Sequence, residues 1–261
     1  MYIFLSHDID WPKGGPGADH IFARRERFDE FTLGRVKSEG FNPYYGIPTM
    51  MDIEKSLGIR STFFFRPLYD DSSTVDEYRM DLSDLRRGGW EVGLHANHGG
   101  SLNAIKSEKA AVEEALGDRV IGVRVHYLRI AKSKIQRLGN VGFNYDSSVC
   151  LTRDKVDEKN SGSYMLGDIV EFPITYMDAY IFTYMGITES NVVNFLVDSI
   201  GKLSRMGIKL VTLLWHDNVL LMKGGREYQH LLETLVSKGQ VSFLRGIDAV
   251  KVTKEWIEGP D

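Results

Sequence analysis

Short apolar runs alternate with amphipathic stretches along most of the chain. Runs rich in β-branched and aromatic residues occur at 2–7 (YIFLSH), 61–67 (STFFFRP), 90–95 (WEVGLH), 121–126 (IGVRVH), 143–149 (FNYDSSV), 169–175 (IVEFPIT), 209–216 (KLVTLLWH) and, more weakly, 241–246 (VSFLRG). Several are apolar almost without interruption, the pattern of parallel strands covered on both faces. Between them, apolar residues recur at three- and four-residue spacing in 189–206 and 227–238. The segments 49–57, 81–89 and 102–116 end at glycines, as helix C-termini commonly do. Strand followed by helix, repeated about seven times, predicts a parallel sheet curled into a barrel.

Two segments break the alternation. Residues 12–48 are rich in glycine, charge and aromatics, and 150–168 is polar and loop-like. Long loops in an α/β domain are often lids or substrate walls. No stretch has the composition of an interdomain linker, so a single domain over 1–261 is expected.

A length of 261 residues suits one α/β barrel, and 43% hydrophobic with 26% charged residues is an ordinary globular composition. The formal net charge of −4 offers no basic footprint for nucleic acid or an anionic membrane. No run approaches the ~18 apolar residues of a membrane span, and the first residues lack the pattern of a signal peptide. A cytoplasmic protein is therefore expected. The single cysteine, Cys150, excludes an intrachain disulfide and a zinc site of several thiolates, so any metal must be held by nitrogen and oxygen.

The polar residues that interrupt the apolar runs fall at the downstream ends of the predicted strands. Asp8 and Asp10 follow the first, His95 and His98 the third, Arg124 and His126 the fourth; Asp146 lies on the fifth, and His216 with Asp217 closes the seventh. In a parallel barrel these ends converge on one face, where charge is costly unless it is paired or bound to metal. Two imidazoles and a carboxylate suit a divalent first-row metal with positions left open for water and substrate. His95 and His98, in HANH, can reach one ion if the chain turns or begins a helix there, and Asp10 can supply the oxygen. Asp8, two residues from Asp10 and on the same face of an extended strand, is then free to accept a proton. His216 reaches the mouth from the other side and is placed to protonate a leaving group. His7 points to the opposite face and is expected to be structural.

Taken together, SHDID, GWEVGLHANHGG, GVRVHYLR, FNYDSS and TLLWHDN resemble, in order, the five motifs of the polysaccharide deacetylase family, carbohydrate esterase family four. The resemblance implies a distorted (β/α)7 barrel and metal-dependent removal of an acyl group, usually acetyl, from an amino sugar. It implies Asp8 as base and Asp10, His95 and His98 as ligands of Zn²⁺, with Co²⁺ or Ni²⁺ as alternatives. Arg124 would orient Asp8, the backbone N–H of Tyr127 would help hold an oxyanion, and His216 would be the acid, tuned by a charge network containing Asp146. The substrate would be an acetylated saccharide or a small amide.

Three departures stand out: the histidines are spaced H-x-x-H where the family has H-x-x-x-H, His126 replaces a proline before Tyr127, and Ser6-His7 replaces Thr-Phe before the aspartates. A change of one residue on a helix turns a side chain by roughly 100°, which makes His98 the least secure ligand and His126 a spare one. Two other functions fit the same residues: a metal-independent, allantoinase-like hydrolase of a non-sugar amide, and a carbohydrate-binding homologue without turnover. A serine hydrolase fits poorly, since no G-x-S-x-G elbow is present. Trp11, Trp90 and Trp215 lie beside the motifs and offer rings for stacking on a sugar or for the core.

Overall fold

Strand β1 (Tyr2–Ile9) shows how the chain separates core from chemistry, with every residue from Ile3 to Ile9 buried. Alternation sends Ile3, Leu5 and Ile9 outward into the core beneath the helices, while Phe4 joins an aromatic cluster inside the barrel. Ser6 and Asp8 share that inner face and meet the guanidinium of Arg124.

The computed structural model describes residues 1–258. After β1 come α1 (Ala18–Phe22), α2 (Glu30–Glu39), α3 (Ile47–Ser56), β2 (Thr62–Phe65), α4 (Arg79–Gly88), β3 (Glu91–Ala96), α5 (Leu102–Leu116), β4 (Gly122–Val125), α6 (Lys132–Ile135) and β5 (Tyr145–Asp146). The second half runs β6 (Tyr164–Leu166), β7 (Ile169–Glu171), β8 (Tyr176–Met177), α7 (Asp178–Thr183), α8 (Glu189–Arg205), β9 (Leu210–Leu214), α9 (Tyr228–Ser237), β10 (Ser242–Leu244) and α10 (Gly246–Glu258). The strand order is β6-β7-β5-β4-β3-β2-β1-β9-β8, with β10 added to β1, and every ladder is parallel except the β6–β7 hairpin. The path ends at β6 and β8, so the sheet is strongly curled without closing there. This is the distorted α/β barrel anticipated from the alternating runs.

The bottom of the barrel is filled. Phe4, Phe64, Tyr145 and Phe172 pack edge to face, and Ala249 and Val250 of α10 close over them. Gly93 and Gly122 make room for the rings, since a Cβ would stand 2.4 Å from Phe64 Cδ1 at the first and 2.1 Å from Tyr145 Cζ at the second. With this end plugged, the downstream strand ends at the other face are left for function.

Both irregular segments carry more structure than their composition suggests. Residues 12–48 contain α1 and α2, the latter capped by Asp29, whose carboxylate accepts the N–H of Thr32 at 2.7 Å. Residues 150–168 contribute β6, the antiparallel edge strand. His7 is structural, as its outward face requires. Its Nδ1 donates to the Trp215 carbonyl at 2.6 Å and its Nε2 lies 2.8 Å from Glu54. Glu54, fully buried, also accepts from Ser61, Trp90 and Tyr228. No helix among the described residues is long and apolar enough to cross a membrane.

Candidate active site

Strands β1, β3, β4 and β9 deliver their polar residues to one mouth. Arg124 on β4 is fully buried and donates through Nη1 to Asp8 Oδ1 at 2.8 Å, through Nη2 to the hydroxyls of Ser6 and Ser147, and through Nε to the Ser147 carbonyl. Burial works against the charge of Asp8. The Arg124 guanidinium, followed by His95 and His216, outweighs it and holds the carboxyl below its ordinary range. Asp8 is thus an aimed and ionised carboxylate.

Asp10 reaches the same mouth two residues on. Its Oδ1 lies 3.1 Å from His95 Nε2 and 3.3 Å from His126 Nδ1, and the two ring nitrogens are 2.9 Å apart. The arrangement suits a cation. Nδ1 of His95 donates to the Arg124 carbonyl at 3.0 Å, which leaves the Nε2 lone pair facing the cluster. Asp10 Oδ1 is buried with no hydrogen-bond partner among the described residues. One carboxylate oxygen and two imidazole nitrogens, all within 4.8 Å of one another, form a set that could hold a divalent first-row metal.

His98, expected as the third ligand, stands elsewhere. Strand β3 ends at Ala96 and the chain turns outward instead of entering a helix, with the Asn97 N–H tied to Glu108 of α5 at 3.0 Å. His98 is 68% exposed and its Nδ1 pairs with the same Glu108 at 2.6 Å. His126, at the position where the family pattern has proline, occupies the place beside Asp10 and His95.

His216 follows β9. Its Nδ1 is 2.6 Å from Asp178 Oδ1, and its backbone N–H donates to Asp178 Oδ2 at 2.7 Å. Nε2 faces inward, 3.6 Å from Asp10 Oδ2. Burial disfavours the imidazolium, but Asp178 above all, with Asp10 and Asp8, pushes the group up to about 10. His216 therefore carries a proton at neutral pH.

Asp146 does not join this network. Its carboxylate accepts from the N–H and Oγ of Ser148, whose Oγ in turn accepts the Val125 N–H, and its neighbour across the ladder is Glu171. The Asp146 contact thus steadies the end of β4, one residue before His126, while Asp178 takes the part beside His216. Asp178 escaped sequence reading because its strand, β8, is two residues long and hidden in an apolar run. The strand-end signal was present but had no visible strand before it.

Asp217 is buried, with Oδ2 accepting the Gly46 N–H at 3.2 Å and Oδ1 unpaired among the described residues. Burial, opposed by the Gly46 contact and reinforced by Asp10, pushes it up to about 8. Tyr127 and Leu128 both have φ of +57°, a left-handed turn rarely adopted by residues with side chains. This turn lays the exposed Tyr127 ring against His126, with centroids 3.8 Å apart. Trp90 and Trp215 are core residues, and Trp11 alone of the three lines the cleft above the site.

No family model matches the chain, and no curated protein matches it. Solved structures do. A Mycobacterium smegmatis protein of polysaccharide deacetylase type aligns over 99% of this chain and 92% of its own, with a TM-score of 0.69 at 17% identity. The PuuE allantoinase aligns over 96% and 89%, with a TM-score of 0.65 at 15% identity. The peptidoglycan deacetylase PdaC from Bacillus subtilis aligns over 98% and 94%, with a TM-score of 0.53 at 16% identity. The fold of this chain is the polysaccharide deacetylase fold.

Proposed function

We propose that the protein is a metal-dependent hydrolase that removes an acetyl or related acyl group from an N-acylated amino sugar or saccharide conjugate. The observation that carries this reading is the meeting, at one barrel mouth, of an Arg-bound carboxylate, an Asp-His-His cluster and an Asp-bound imidazole. A divalent cation held by Asp10, His95 and His126, with Zn²⁺ the first choice and Co²⁺ or Ni²⁺ alternatives, would supply Lewis acidity toward water and the amide carbonyl.

In this mechanism Asp8 accepts the proton of the attacking water, with Arg124 holding it ionised and oriented. The Tyr127 N–H is available to the oxygen that becomes negative as the carbonyl carbon turns tetrahedral. The C–N bond then breaks, and His216 Nε2 gives its proton to the departing amine. Products are a carboxylic acid, which ionises in solvent, and a free amine, and the proton taken by Asp8 passes through solvent to recharge His216, so that one water is consumed for each C–N bond broken.

The test is release of acetate and amine from N-acetylated amino sugars by protein loaded with each of the three metals. Activity lost in both Asp8→Asn and His216→Ala supports the reading. No release with any metal overturns it. A non-sugar amide hydrolase is the second reading, favoured by the fold likeness to an allantoinase; turnover of small ureides or amides without turnover of sugars would select it. Sugar binding without turnover of either class would select a carbohydrate-binding homologue.

A further inference from the structure

The ladder between β1 and β9 ends one residue before His216, where the Trp215 N–H donates to the Ser6 carbonyl at 3.0 Å. The Trp215 carbonyl, next along the chain, belongs to a fully buried residue and receives no backbone N–H among the described residues. A buried carbonyl needs a donor. His7 supplies it from the outer face of β1, through Nδ1 at 2.6 Å.

Both ends of the Trp215–His216 peptide are therefore held. Its carbonyl accepts from His7 and its N–H donates to Asp178 Oδ2 at 2.7 Å, while Asp178 Oδ1 lies 2.6 Å from His216 Nδ1. A hydrogen bond at one end of a peptide polarises the group toward the other, so the two bonds reinforce each other. The His7 ring is fixed in turn. Its Nε2 lies 2.8 Å from Glu54 Oε1, the Phe63 ring packs against it with centroids 4.5 Å apart, and Tyr228 meets it edge-on at 5.7 Å. Glu54 accepts from Ser61, Trp90 and Tyr228 at 2.7, 2.7 and 2.8 Å. A continuous chain of hydrogen bonds thus runs from Glu54, through His7 and one peptide, to Asp178 and the ring of His216.

We propose that His7 is a positioning residue for the acid of the reaction: through the Trp215 carbonyl it sets the peptide on which the Asp178–His216 pair is built, with Glu54 as its anchor. The proposal rests on the reading of His216 as acid and adds a residue behind the sheet that acts on it. A catalytic group displaced by about 1 Å can lose about 10²-fold in rate, which gives a contact on the outer face its leverage.

Two substitutions separate the nitrogens of His7. His7→Asn keeps an N–H on the atom attached to Cγ, where Nδ1 stands, and gives up Glu54; His7→Gln reaches toward Glu54 as Nε2 does and gives up the Trp215 carbonyl. Each loses one buried hydrogen bond, so a merely structural role would cost both alike. The measurements are kcat and KM for amine release from N-acetylglucosamine by Zn²⁺-loaded protein, and residue-resolved amide hydrogen exchange of His216 and Trp215 in the same protein. In His7→Gln, kcat is expected to fall by at least about tenfold with KM within about twofold, while His7→Asn stays within about threefold of wild type. The His216 N–H is expected to exchange at least about tenfold faster in His7→Gln, and the Trp215 N–H, on the ladder, at its original rate. Equal losses in the two variants, or an unchanged His216 exchange rate in His7→Gln, overturn the proposal. Turnover retained by His7→Gln overturns it and leaves the hydrolase reading intact; no turnover by wild type fails that reading, and the exchange rates alone then decide whether His7 holds the peptide. Should His7→Gln not fold, His7→Phe, which loses both bonds, takes its place with the same expectation. Should His7→Asn not fold, Tyr228→Phe, which removes a hydrogen bond to Glu54 without touching the peptide, takes its place in the comparison.

Discussion

Asp178 holds His216 through both carboxylate oxygens: Oδ1 lies 2.6 Å from Nδ1 and Oδ2 accepts the His216 backbone N–H at 2.7 Å. The pair fixes the ring, leaves Nε2 facing the site and favours its charged form. Because the group is raised from 6.5 to about 10 in the folded protein, its stabilising contribution is complete below 6.5 and is lost as pH rises through about 10. Hydrolysis that uses His216 as acid should persist through neutral pH and decline on an alkaline limb, which a cation held beside Asp10 would bring below the limit of the metal-free protein.

Asp178→Asn keeps the shape and removes the charge. The expected result is a fall in kcat of about 10²-fold or more, together with an alkaline limb moved down toward the ordinary imidazole range. A pH profile of kcat decides the matter. An unmoved limb would show that His216 is not the acid.

The two candidate third ligands make opposite predictions. His126→Ala should weaken Zn²⁺ or Co²⁺ binding by at least about 100-fold, because it removes a donor and not merely a group behind one. His98→Ala should leave metal affinity within about twofold, since His98 faces Glu108 and solvent. Titration followed by calorimetry or by the visible spectrum of bound Co²⁺ reads both variants without reference to turnover. Equal effects would count against the Asp10–His95–His126 cluster.

The distinction between these histidines marks how far the amino-acid sequence could be read. Period-two alternation along β1 put Asp8 and Asp10 on one face and His7 on the other, and nearly continuous apolar runs announced a buried parallel sheet. Strand ends therefore located Asp8, Asp10, His95, Arg124 and His216. Local pattern could not say whether the chain turns or coils after Ala96, because the Asn97 N–H and His98 are drawn outward by Glu108, eleven and ten residues away. Asp178 was hidden for a related reason: two residues of β8 are too few to show a period. Helix α10 also went unread, although Ala249 and Val250 on it complete the barrel core.

Arg124 and Asp8 form a buried pair whose two members should fail differently. Arg124→Met leaves Asp8 buried without its counter-charge, a change that typically costs ~3–5 kcal/mol. At ~2–4 °C per kcal/mol for a chain of this size, the melting temperature should fall by roughly 6–20 °C. Asp8→Asn retains an oxygen able to accept from Arg124, so its melting temperature should fall by less while turnover drops by about 10²–10⁴-fold. Thermal unfolding and kcat measured on the same preparations separate the two effects. Equal destabilisation with full activity in Asp8→Asn would remove Asp8 from the role of base.

Glu171 lies opposite Asp146 in the sheet, and both carboxyls are fully buried. Burial raises Asp146 and, with Asp146 beside it, lifts Glu171 well above the ordinary range. The pair accordingly holds a proton that the unfolded chain would have released. The folded state thus binds more protons than the unfolded state once pH exceeds the ordinary glutamate value of 4.5, and stability must fall as pH rises from there. Glu171→Gln removes this dependence while keeping an oxygen able to accept the Val149 N–H, which the native Oε1 accepts at 3.1 Å. The variant should match wild type near pH 4 and become the more stable protein by pH 8, with the higher melting temperature there. Thermal unfolding across this range checks it. A difference that stays constant with pH would mean that the two carboxyls do not share a proton.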